Sequence, residues 1–174
     1  MIEAGSATAM RPIEDVIAYR NDRVIGSFMN KFDVSRQEAE SIFIETLRWL
    51  WYISSTKPSK ENPEAHGIDE EIFIIDEMWH TFILVTRDYA KFCNDMFGRF
   101  IHHDPGSAGS EAYGADYSLG DAPDREEIIQ KTIVRKRAKY LDIYQRLGED
   151  VFVTWYHNYP QAYTVDAIYR LRKR

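Results

Sequence analysis

The chain is poor in cysteine: Cys93 is the only one among 174 residues. That excludes an internal disulfide framework and a zinc ribbon built on cysteines. Long hydrophobic runs are also missing. The most apolar window, residues 68–85, carries Asp69, Glu70, Glu71, Asp76 and Glu77. Each of these charges is costly at a bilayer centre, so no membrane-spanning helix and no membrane partner are expected. Residues 1–10 hold Glu3 where a secretory signal needs basic residues, and no apolar core follows. They read as a flexible leader, and the protein as cytoplasmic. No P-loop, Rossmann glycine fingerprint, Gly-x-Ser-x-Gly elbow, Cys-x-x-Cys pair or internal repeat occurs.

What is present suffices for a core. Hydrophobic residues make up 44% of the chain and aromatics 14%, which excludes a disordered polymer and removes the need for staples. The length fits one helical domain over residues 11–174.

Helical spacing dominates. Pro12 begins a pattern running to about Lys31, with Ile13, Val16, Ile17, Ile25 and Phe28 as apolar positions. Ser35-Arg36-Gln37-Glu38 is a capping box, in which the serine accepts from the third amide and the glutamate reaches back. Behind it Ala39, Ile42, Phe43, Leu47, Leu50 and Trp51 recur at helical intervals. A polar loop, Thr56 to Gly67, holds Pro58 and Pro63. Ile72, Ile75, Trp79 and Phe82 then make one face of a helix that is apolar nearly all round, as buried helices are. A restart is expected near Thr86, and Gly98 falls where a left-handed C-cap belongs. Arg99 to Asp104 should be extended, because Pro105 disfavours helix before it.

Residues 106–120 hold four of the nine glycines and read as a long loop, with Tyr113 and Tyr117 as a contact surface. Pro123 and Asp124 open a helix that Gly148 ends after Leu147. Val151 to Tyr159, rich in β-branched and aromatic residues, reads as a short extended segment broken by Pro160. A last helix covers about Val165 to Arg172. The fold class is mainly α, a bundle of five or six helices.

One constellation carries chemistry. Asp76 and His80 are four apart, so they stack on adjacent turns beside the buried stripe. A buried carboxylate must be paired, protonated or bound to a metal. His102 and His103 lie about one loop away. Their alternation in an extended segment puts them on opposite sides, so only one is expected to face Asp76. Two readings stay open. Asp76, His80 and either His102 or His103 could ligate zinc or non-haem iron and leave coordination positions free. The same groups could form a metal-free hydrogen-bonded network that pins the loop to the helix. Glu77, about 100° round the helix, reads as a solvated or salt-bridged acid, and Cys93 as a core residue. His66 falls in a polar loop, and His157 reads as a packing or surface residue.

The runs Ile75-Asp-Glu-Met-Trp-His80, Tyr89-x-x-Phe-Cys93 and Phe97-Gly-x-x-x-His102-His103-x-Pro105 resemble the signature of glycine-rich-domain-containing-protein-like (GRDP-like) proteins, over about residues 47–105. The resemblance implies a small helical domain and singles out Asp76, Trp79, His80, Tyr89, Cys93, Gly98, His102 and Pro105. Many plant members have a second histidine at the place of Phe82, which removes one ligand here. Their additional domains, linked to RNA binding and to stress or development, have no counterpart in this chain.

Charge is unevenly spread. Residues 1–124 carry 11 basic and 22 acidic side chains, a net of −11; residues 125–174 carry 11 and 6, a net of +5. The basic clusters, Arg135-Lys136-Arg137 and Arg170 to Arg174, are expected to pack against the acidic remainder. A nucleic-acid contact is the sharper alternative, but no binding motif accompanies the charge and the acidic part would repel phosphate. The expected function is a helical module for protein interaction or scaffolding around an Asp/His cluster. The alternative is a small metal-dependent enzyme, hydrolytic or of the non-haem iron type.

Overall fold

A computed structural model describes residues 10–56, 67–103 and 125–173. The leader through Ala9, His66 and most of its loop, the glycine-rich stretch 106–120 with Tyr113 and Tyr117, and Asp104 with Pro105 lie outside the described residues. Within them the architecture is mainly helical, with no strand longer than one isolated bridge. No helix among them is long and apolar enough to cross a membrane.

The expected first helix is two. α1, Ile13–Ile17, follows Pro12, and α2, Asp22–Lys31, starts afresh at Asn21. The reason is local: the Asn21 side chain accepts from the Arg23 and Val24 amides, both at 3.1 Å, which caps a new helix. α3, Arg36–Ser55, begins at the expected Ser35, whose hydroxyl accepts from the Glu38 amide at 3.1 Å. Glu38 does not complete the box; its carboxylate accepts from the Tyr163 hydroxyl at 2.8 Å instead.

A 3₁₀ turn, Glu70–Ile72, leads into α4, Phe73–Leu84. Val85 leaves helical geometry with ψ near 60°, and α5, Thr86–Phe97, follows at once. The restart falls where expected, although the Thr86 side chain makes no cap. Gly98 ends α5 at φ 67°, a conformation that a side chain would strain.

α6, Arg125–Leu147, ends at Gly148 with φ 87°. The extended segment expected over Val151 to Tyr159 is not there. Those residues form α7, Glu149–Val153, a π-helical turn, Thr154–Asn158, and the start of α8, Tyr159–Ala162. Burial of Trp155 and Tyr159 against the other helices overrides strand propensity. Pro160 sits in the first turn of α8, where its missing N–H is harmless, and the wide turn precedes it. α9, Val165–Leu171, is capped by Thr164, which accepts from the Ala167 amide at 3.1 Å.

α3 is the hub and packs against α1, α2, α4 and α6. Its Ala39, Ile42, Phe43, Leu47 and Leu50 are buried as their spacing required. Trp49 meets Trp155 edge-on at 5.9 Å, tying α3 to the π turn. The basic C-terminal region, residues 125–174, does pack on acidic partners: Lys136 on Glu71 at 3.2 Å, Lys139 on Asp69 at 2.7 Å, and Arg172 on Glu77. The last residues strap onto the end of α2. The Asp33 amide donates to Leu171 O at 2.7 Å, and the Lys173 amide to Lys31 O at 2.9 Å.

Candidate functional site

The site is built on α4. Ile72, Ile75, Trp79 and Phe82 are buried, and that burial fixes the rotation of the helix. Asp76 lies beside this stripe and is itself buried, with its side chain 12% exposed. His80, one turn on, brings Nδ1 to 3.2 Å from Asp76 Oδ2 and keeps 42% of its side chain in solvent. The third member comes from the segment after α5. His103 places Nε2 at 2.8 Å from Asp76 Oδ1.

Of the two adjacent histidines, the structure brings only His103 to Asp76. His102 is exposed, and its ring meets Phe100 at 4.9 Å. The alternation of an extended backbone accounts for the split. Which histidine turns inward is decided by two anchors. The buried Tyr89 hydroxyl donates to Ile101 O at 2.7 Å and accepts from Trp79 Nε1 at 2.9 Å. The His103 ring then lies 4.2 Å from the Trp79 ring and 4.4 Å from that of His80. Trp79 and Tyr89 therefore position the histidine. The sequence hints at this only through their ten-residue separation, which gives no direction.

Asp76, His80 and His103 each offer one ligand atom, and the three atoms lie within 4.8 Å of one another. The group borders a cleft of about 280 Å³ lined by His80, Ile83, Tyr89, Phe100, Ile101, His102 and His103. Ionised Asp76 can accept N–H hydrogen bonds from both imidazoles. With those nitrogens deprotonated, the same three groups present donors to a cation.

Cys93 is fully buried under this site, and burial raises its thiol pKa despite contacts with the Ile101 backbone and Tyr89. It stays a neutral core thiol, outside the ligand group. Of the two readings of Glu77, solvated or salt-bridged, the second holds: only 3% of the residue is exposed, and it lies between Lys31, at 2.6 Å, and Arg172. His157 is a surface residue beside Gln161.

No curated protein matches the chain, and no solved structure matches it. A family model does, over residues 68–158, and its description is UCP032817-like. This overturns the resemblance to glycine-rich-domain-containing-protein-like proteins. That resemblance rested on three short motifs ending at Pro105, whereas the match runs from the site through α6 and α7 to the π turn. It spans just over half of the chain and contains Asp76, His80 and His103, and the chain belongs to the UCP032817-like family.

Proposed function

We propose that this chain is a metal-binding helical module in which Asp76, His80 and His103 ligate one divalent ion of the zinc or iron class. The observation that carries this reading is the pair of contacts from the two oxygens of one buried carboxylate to two histidines, at 3.2 and 2.8 Å. An ion held at roughly 2.0–2.1 Å by each donor sets neighbouring donors about 3.3 Å apart; one ligand atom from each of the three residues already lies within 4.8 Å of the other two, so side-chain rotation alone can close the set. Two imidazoles and a carboxylate suit zinc or non-haem iron and leave coordination positions open, and the adjoining cleft gives access to them. Bound there, the metal would supply a Lewis acid or a redox centre to a ligand in the cleft. The chain's own part is to fix the donors: α4 holds two of them one turn apart, and the tilted ring contact with Trp79 orients the third.

Elemental analysis of untagged protein tests this. Stoichiometric zinc or iron is expected in the wild type, lost in His80→Ala and His103→Ala and kept in His102→Ala. Protein that stays folded and metal-free after dialysis against zinc and, anaerobically, iron(II) would sink the proposal and leave a hydrogen-bonded network.

A second role, protein interaction, is favoured by a separate feature. α6 leaves Ile129, Ile133, Val134 and Leu141 exposed. Proteins recovered with the wild type but not with Ile133→Glu/Leu141→Glu would support it, and equal recovery would remove it.

A further inference from the structure

We infer that the cleft beside Asp76, His80 and His103 receives a small molecule with an aromatic or branched apolar body and a single anionic donor group. The donor is directed at the ion and the body at Phe100. This rests on the metal reading above and adds the class of ligand.

Phe100 carries the argument. It is 45% exposed, so burial does not hold it. Two ring contacts do: Tyr89 meets it edge-on at 5.3 Å and 90°, and His102 meets it at 4.9 Å. Tyr89 is fixed in turn by Trp79 and Ile101. The result is an oriented, half-exposed phenyl ring on the cleft wall, with Ile83 adding a second apolar surface. An exposed phenyl face gains by covering, and an aromatic partner adds ring geometry to that gain.

Charge narrows the class further. Among the described residues no lysine or arginine lines the cleft. One anionic group can be taken by the ion, whereas a second finds only the exposed His102 ring as a polar partner and no fixed cation among the described residues. Size agrees: an apolar cavity of about 150 Å³ accepts benzene, and this cleft measures about 280 Å³, enough for a ring with a short head group.

The test is calorimetric titration of the zinc-loaded full chain with benzohydroxamate and acetohydroxamate, which share one singly charged chelating head group and differ in ring against methyl. The ring compound should bind at least about tenfold more tightly, the scale of one buried ring face. Phe100→Ala should shrink that preference to about twofold or less, and Phe100→Tyr should restore it. Zinc content should be unchanged in both variants, and the melting temperature in Phe100→Tyr; Phe100→Ala should lower it modestly through the lost ring contacts with Tyr89 and His102. Equal affinities, or a preference that survives Phe100→Ala, on protein shown to carry zinc would overturn the cleft assignment and leave the metal reading standing. Absence of bound zinc would overturn both.

Discussion

Asp76 and Glu77 are neighbours on one helix, both buried, and they face opposite fates. Glu77 looks toward the end of α2 and the C-terminal strap, where Lys31 and Arg172 hold it. Asp76 looks toward two imidazoles at the edge of a cleft. Permanent cations satisfy a buried carboxylate and close its surroundings, as the strap closes over Glu77. Histidines satisfy it while keeping a choice of proton, tautomer or metal. Burial of an acid is thus a poor guide to function by itself, and the kind of partner separates a structural clamp from a reactive group. Glu45 is a third case. It is half-buried beside Arg48 and accepts from Trp155 Nε1 at 2.8 Å, so it has one cation and one neutral donor.

The comparison breaks most visibly if the Glu77 clamp is emptied. Lys31→Met with Arg172→Met leaves an uncompensated buried carboxylate and should cost about 3–5 kcal/mol, read from urea unfolding. A loss below about 1 kcal/mol would show that the clamp is solvated in practice. Replacing Glu77 as well, by Gln, should recover much of the loss, since the charge is then gone.

At the Asp76 side the expected stability effect is smaller and a second readout appears. His103→Ala removes a hydrogen-bond partner and a ring packed at a tilt against Trp79, and should cost about 1–3 kcal/mol. It should also abolish any rise in melting temperature on adding zinc. The Glu77 variants should keep that zinc-dependent rise, which sharpens the contrast between the two acids. His102→Ala should stay within about 0.5 kcal/mol of wild type with the zinc response intact, as an exposed residue outside the ligand group should. Equal losses from the two histidine variants would contradict the assignment of His103 as the inward one.

The smallest effect concerns Glu45. Burial raises its carboxyl pKa, with Arg48 and Trp155 only partly opposing. The folded protein then holds this proton more tightly than the unfolded chain. Stability should therefore fall as pH rises from the ordinary glutamate pKa through the raised one, and stay level beyond it. Glu45→Gln keeps an acceptor for the Trp155 indole and should flatten that limb by under about 1 kcal/mol, seen in melting curves between pH 4 and 7. An unchanged slope would assign the limb to other groups.

The helical class, the Ser35 cap, the Gly98 and Gly148 ends and the core face of α4 follow from the sequence alone. So does the placement of Asp76 beside His80. These are local properties, since a turn of 3.6 residues stacks positions four apart wherever the helix lies. The tertiary structure decided the rest. Val151 to Tyr159 has strand-like composition, yet packing around Trp155 makes it helical. For Glu77 the sequence leaves a solvated and a salt-bridged acid both open until Arg172, 95 residues away, is folded onto it. The choice of His103 over His102 depends on where Tyr89 and Trp79 pin the segment after α5, a long-range constraint that alternation along the chain cannot orient. Periodicity fixes which residues share a face; only packing between elements fixes what that face meets.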